Sequence, residues 1–216
     1  STEVTFENDK LKSTRSAQRT EIEVKVIVDG KVGTSNTTDV SDLDGVVARA
    51  LEAAAFGSPA HFRFPGPQQS AGVKVYDEAV LPVTKPEMMQ IGQEMIDLIK
   101  GYNPAIIVGA NVRKQVGRRE FANSAGVAFT VESTDFSVGV SGQLVRGTDI
   151  LWTDHGLGWR KRAVDHVAIA QELIERFKMA ERNAPIQSKA MPVILTPFGM
   201  GVVALPLLLG VNGKHV

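Results

Sequence analysis

Residues 120–146, EFANSAGVAFTVESTDFSVGVSGQLVR, hold two apolar alternating runs joined by short polar segments. Val127, Phe129 and Val131 recur at period two, and Phe136, Val138 and Val140 repeat the pattern after the break ESTD at 132–135. The pattern predicts a β-meander that buries one face. Thr130, Glu132, Ser137 and Ser141 make the other face, free to meet water or a ligand, as antiparallel sheets allow. Asn123, Ser124, Ala125 and Gly126 form the reversal, because these residue types accept the backbone conformations a turn demands. Asn123 and Ser124 are also candidate binding residues, although turn formation already accounts for their chemistry. Amphipathic helices on either side must cover the apolar face. The expected class is therefore α+β, with antiparallel meanders and hairpins covered by amphipathic helices.

Composition narrows the function classes. At 216 residues the chain can bury a substantial core. Its 43% hydrophobic and 22% charged content is that of a globular protein rather than a disordered or membrane one. Lys and Arg total 24 against 24 Asp and Glu, so no overall charge favours nucleic acid or an acidic membrane. With no cysteine, thiolate catalysis, disulfides and cysteine-ligated metal sites are excluded. The apolar run 199–211 is too short to span a bilayer and is interrupted by Pro206. No signal peptide is visible, and a cytoplasmic location is expected. The sequence begins without methionine on a strand-like pattern, which points to a trimmed amino terminus.

In chain order, 3–7 (EVTFE) reads as a short strand followed by the turn Asn8, Asp9, Lys10. Ile22, Val24, Val26 and Val28 alternate with charged residues, and Asp29 with Gly30 predicts a tight hairpin returning through 31–34. Ser41 and Asp44 are placed to cap a helix whose apolar face is Val46, Val47, Ala50, Leu51 and Ala54. The Pro- and Gly-rich stretch 57–82 reads as a long surface connection, and His61 within it as an incidental loop histidine. Thr84 and Glu87 start a second helix with the stripe Met88, Ile91, Met95, Leu98, Ile99 and a stop at Gly101. A short strand follows at 105–108. A third helix over 164–182 presents Val164, Val167, Ile174 and Phe177, with Asn183 and Pro185 marking its end. Hairpin followed by helix thus occurs twice, giving a subdivision into 1–103 and 104–190.

The chemistry-bearing motifs are few. The basic stretch 113–119 and the cluster Arg160, Lys161, Arg162 lack interleaved aromatics, so nucleic-acid binding is not expected and solvated strand ends are. Asp154 and His155, with Asp165 and His166, carry the residue types of a zinc site, although Asp165 near a helix start is equally accounted for by the helix dipole. No His-Glu-x-x-His, P-loop, nucleophile elbow or dinucleotide glycine motif occurs.

The run IEVKVIVDGKVGTSNTTDVSDLDGVVARALEAA at 22–54, EFANSAGV at 120–127, and MPVILTP at 191–197 before an apolar helix resemble the TldD/PmbA family, described as modulators of DNA gyrase. The resemblance implies an amino-terminal α+β portion spanning 1–216 of a longer protein, with 191–216 opening the carboxy-terminal part, so that His215 and Val216 are not a natural end. In the TldD branch, a His-Glu-x-x-x-His zinc signature follows the MPVILTP-like strand, and its glutamate activates water. Here Leu205, Pro206 and Gly210 occupy those positions, and none binds zinc or acts as a base. That departure resembles the TldE (PmbA) branch. It implies a non-catalytic, peptide-handling subunit with no cofactor of its own, pairing as a homodimer or with a zinc-bearing TldD-type subunit that cleaves the peptide. The alternatives are a stand-alone metal-dependent hydrolase using Asp154, His155, Asp165 and His166, and an interaction protein acting on DNA gyrase.

Overall fold

In the computed structural model, residues 1–68, 72–181, 184–185, 187–197 and 199–213 are described. The chain begins with an antiparallel hairpin of β1 (Thr2–Glu7) and β2 (Lys10–Ser16). Its turn holds Asn8 and Asp9 at φ of 51° and 67°, a region that Asn and Asp enter more readily than other side-chain-bearing residues. A second hairpin, β3 (Ile22–Val28) and β4 (Lys31–Thr37), turns through Asp29 and Gly30, both at positive φ, as the Asp-Gly step predicts.

Helix α1 (Leu43–Ala55) lies on this second hairpin and buries Val46, Ala50 and Ala54. Gly33 permits the approach, since a Cβ there would sit 2.0 Å from the Ala50 carbonyl oxygen. The helix starts one residue later than the expected cap. Ser41 donates its hydroxyl to Asp39 at 2.6 Å instead, and the flanking Asp42 pairs with Arg49. Val47 and Leu51 prove exposed, because the two-stranded β3–β4 sheet covers one side of the helix only.

Helix α2 (Lys85–Tyr102) begins on Thr84, whose hydroxyl accepts from the Glu87 amide, with Pro86 in the first turn. Gly101 does not end it; the helix runs on to Tyr102, and the Asn103 amide bonds back to Ile99. Three strands follow: β5 (Ile107–Ala122), β6 (Ala128–Arg146) and β7 (Asp149–Trp159). Helix α3 (His166–Ala180) comes next. The strands form one antiparallel sheet in the order β2-β1-β5-β6-β7. Because β1 lies beside β5, stretches on either side of residue 103 share one sheet, and no division falls there.

Helices α2 and α3 cover a single face of this sheet. The core joins Val4, Phe6, Val112, Phe136 and Val138 to Met88, Met95 and Ile99 of α2 and to Ile169, Leu173 and Phe177 of α3. Gly142 lets α3 approach, as a Cβ there would meet the Phe177 ring at 2.6 Å. The buried stripe of α3 is Ile169, Ala170, Leu173 and Phe177; Val167 is exposed, and Val164 and Ile174 pack only at the margin. Leu98 of α2 is likewise exposed. Asn183, expected to mark the end of α3, lies outside the described residues, as do His215 and Val216.

The meander differs from expectation in one decisive way. No turn falls at 132–135; the β5–β6 register runs unbroken from Ile107 opposite Gln143 to Ala122 opposite Ala128. Period two therefore never resets. Phe136, Val138 and Val140 face the helices, whereas Phe129 and Val131, of opposite parity, lie on the other face. Thr130 and Glu132 share the side of Phe136 but are exposed, while Ser137 and Ser141 keep the uncovered face expected of them.

The chain divides into two compact units, Ser1–Glu181 and Arg182–Val216. In the second, 191–197 forms no strand, and α4 (Gly201–Gly210) contains Pro206 in its interior, where the ring supplies no amide to the helix ladder. No described helix is long and apolar enough to cross a membrane.

Candidate functional site

The β5–β6 hairpin outruns its helices. Beyond Thr134 both strands continue as a ribbon in which Val116, Phe121, Phe129 and Val131 are exposed, and Phe121 and Phe129 stack with ring centroids 5.2 Å apart. At the tip, Asn123 Oδ1 accepts from the amides of Ala125 (3.0 Å) and Val127 (3.1 Å), and Gly126 takes φ of 88°. The turn chemistry read from the sequence is present. Asn123 has a second task, because its Nδ2 donates to the Pro65 carbonyl at 2.9 Å and ties the 57–82 connection to the ribbon.

The other end of that segment is fixed to the second hairpin. The Val32 amide donates to Ser58 (3.0 Å), and the Ala60 amide donates to Gly30 (2.7 Å). Between these anchors, residues 61–64 (HFRF) form one wall of an open cleft of about 760 Å³. Ile27 and Gly30 contribute from the β3–β4 turn, and Ser124 and Ala125 from the β5–β6 turn. Phe62 and Phe64 meet edge to face at 6.2 Å. The side chains of His61, Arg63 and Ser124 have no hydrogen-bond or ion-pair partner among the described residues. His61, read from the sequence as incidental, thus lines the same cleft as the candidate Ser124. Such a cleft offers aromatic walls, one permanent cation and one imidazole, which suits a ligand with an apolar body and an anionic end.

The four metal candidates do not converge. Asp165 caps α3, accepting from the Ala168 amide at 2.9 Å. His166 Nε2 lies 2.6 Å from Glu94 Oε2, joining α3 to α2. The Glu94 carboxyl is held below the usual glutamate range, first by the hydrogen bond from Gln90 and then by that of His166. His155 Nδ1 lies 3.2 Å from the Arg176 guanidinium, which also donates to the Asp154 carbonyl at 2.6 Å. Partial burial and then the Arg176 charge push the His155 imidazole down. An adjacent guanidinium repels a metal cation as it does a proton. No group of three or more His, Cys, Asp or Glu suited to a metal occurs among the described residues. In α4, Leu205, Pro206 and Gly210 supply no donor. Among the described residues, these side chains do not come together as a zinc site.

In the basic stretches Arg113, Arg118, Arg119, Arg160, Lys161 and Arg162 are solvent-exposed, as expected, and three of the cations also make specific contacts. Lys114 donates to the carbonyls of Leu81 (2.8 Å) and Val83 (2.5 Å), Arg118 pairs with Glu120, and Arg162 pairs with Glu87. Lys114 and Arg162 thereby tie the 72–84 connection, helix α2 and the sheet together.

Residues 1–54 match the family model described as PmbA/TldA metallopeptidase domain 1. Three solved structures share the fold. A candidate modulator of a DNA gyrase from Thermotoga maritima aligns with a TM-score of 0.70 at 15% identity, covering 81% of this chain and 40% of that one. TldE from Thermococcus kodakarensis gives 0.70 at 12%, covering 82% and 41%. A candidate modulator of DNA gyrase from Bacteroides thetaiotaomicron gives 0.68 at 14%, covering 81% and 42%. The chain spans about two fifths of the length of these structures. No curated protein matches it.

Proposed function

We propose, for a chain whose amino-terminal portion is of the PmbA/TldD metallopeptidase-like family, a non-catalytic role: a TldE-like, peptide-handling subunit that assembles with a zinc-bearing TldD-type partner. One observation carries this reading. Where a zinc-binding helix would need His, Glu and His, α4 presents Leu205, Pro206 and Gly210, and these side chains can neither ligate a metal nor move a proton. The rest of the described chain supplies no substitute, since Asp154, His155, Asp165 and His166 are committed to separate structural contacts. What the subunit contributes is surface: the free edges of β2 and β7, the ribbon, and the cleft at its tip.

Native mass spectrometry with zinc analysis, on the full-length protein purified from its source, tests the proposal. A complex containing one zinc-bearing relative is expected, with peptidase activity only in that complex. Stoichiometric zinc in this subunit alone, or a zinc-free homo-oligomer with no other partner, would overturn it.

A further inference from the structure

The 61–64 segment is built like a binding wall. Both of its flanks are hydrogen-bonded to the neighbouring hairpins, at Ser58 and Ala60 on one side and at Pro65 on the other. A loop restrained at both ends loses little entropy when a ligand settles on it. Within the restrained stretch, His61 and Arg63 alternate with Phe62 and Phe64, so the wall displays two donors and two rings to one space. Lys114, Arg118 and Arg162 are held by carbonyls or carboxylates, whereas the Arg63 guanidinium faces the cleft without a partner among the described residues. A guanidinium presents a planar fork that fits a carboxylate in two parallel hydrogen bonds. The Phe62 and Phe64 rings supply the apolar surface on which a neighbouring side chain can rest. The volume of about 760 Å³ falls within the range that encloses small ligands, roughly 300–1,000 Å³.

From this geometry we infer that the cleft between the two hairpin tips is a carboxylate-capture site: Arg63, assisted by His61, holds an α-carboxylate, while Phe62 and Phe64 hold the adjoining apolar or aromatic side chain. Two sources share that chemistry, the carboxy-terminal end of a peptide and a free amino acid. The choice of the peptide end rests on the peptide-handling reading above; the site itself does not.

The test uses the full-length protein purified without a partner, so that its outcome is separate from whether a zinc-bearing complex exists. Binding of N-acetyl-Gly-Gly-Phe as the free acid, of the same peptide as its carboxy-terminal amide, and of free phenylalanine is measured by titration calorimetry at pH 6.5. The free-acid peptide is expected to bind at least tenfold more tightly than the amide, the gap a lost charge-assisted pair produces. Arg63→Gln should abolish that gap, and Phe62→Ala should weaken acid and amide alike. Circular dichroism confirms that both variants remain folded. Tighter binding of phenylalanine than of the peptide assigns the site to free amino acids. Equal affinity for acid and amide, or an unchanged gap in Arg63→Gln, refutes the carboxylate role even if the partner complex is found.

Discussion

Replacing Thr134 with valine removes a hydroxyl at the point where β6 leaves the helix-covered core, and its effect can be worked from the contacts. Thr134 is 1% exposed. Its hydroxyl donates to the Arg160 carbonyl at 2.6 Å and accepts from the Asp77 amide at 3.0 Å. Its own amide donates to Val75 at 3.0 Å and survives the change. Asp77 in turn accepts from the amides of Ala79 and Arg162, so one hydroxyl holds two connections to the strand. Valine has nearly the same shape, and no cavity term enters. Two hydrogen bonds at about 1 kcal/mol each are lost, and a half-buried Asp77 amide left without a partner brings the total to about 2–3 kcal/mol. For a chain of this size that is a fall in Tm of about 4–12 °C. Thr134→Ser keeps the hydroxyl and should cost under about 1 kcal/mol, for the lost methyl. Urea unfolding of the full-length protein and both variants measures the difference. A valine variant with the wild-type midpoint, or a serine variant as unstable as the valine one, would refute the hydrogen-bond argument.

Three further outcomes are expected. Gly33→Ala drives a Cβ to 2.0 Å from the Ala50 carbonyl and 2.6 Å from the Ala54 amide nitrogen, both backbone atoms, so α1 must lift; hydrogen exchange should speed in β3, β4 and α1 while β5 and β6 stay protected. The His155 imidazole is pushed down by burial and by Arg176, so protonation favours the unfolded chain, and wild-type stability should fall as pH drops below about 6.5. His155→Gln should flatten that slope in unfolding midpoints compared at pH 7.5 and 5.5. The dependence for Glu94 has the same sign at lower pH: its lowered carboxyl contributes stability above the ordinary glutamate value of 4.5 that is lost on further acidification, a loss that Glu94→Gln should lessen between pH 5 and 3.

The features readable from sequence were those whose cause is local. The Asp29–Gly30 turn, the Thr84 cap and the alternation in 22–28 and 136–140 each carry their physics within a few residues, and each is present. Strand β2 (KLKSTRS) was not legible, because an edge strand exposed along its whole length needs no apolar period. The ESTD segment does not break the strand for a related reason: polar residues end a strand only if the strand stays on the core, and here it runs past it. The pairing of β1 with β5 joins residues about a hundred apart, which no local pattern encodes. The cleft is of the same kind. His61 and Ser124 lie on separate loops, and the hydrogen bond from Asn123 to Pro65, itself invisible in the sequence, ties those loops together.

The exposed ribbon raises the question of what holds it. A two-stranded hairpin is marginal in water, and past Thr134 β5 and β6 have no helix above them. Cross-strand pairs help, chiefly Phe121 on Phe129, whose stacking is worth about 0.5–1.5 kcal/mol. Asn123 adds three hydrogen bonds, two closing the turn and one reaching Pro65. Asn123→Ala removes all three at a combined cost of about 1–3 kcal/mol. Because the ribbon buries little, that loss should be local, opening the tip without unfolding the core. Amides over 116–131 should exchange roughly tenfold faster or more, and those of 136–144 should be unchanged. The same variant should loosen the 61–64 wall and weaken binding in the cleft, although Asn123 does not line it. Unaltered exchange over 116–131 would show that the cross-strand pairs suffice, and that the Pro65 bond is a consequence of the ribbon's position rather than its cause.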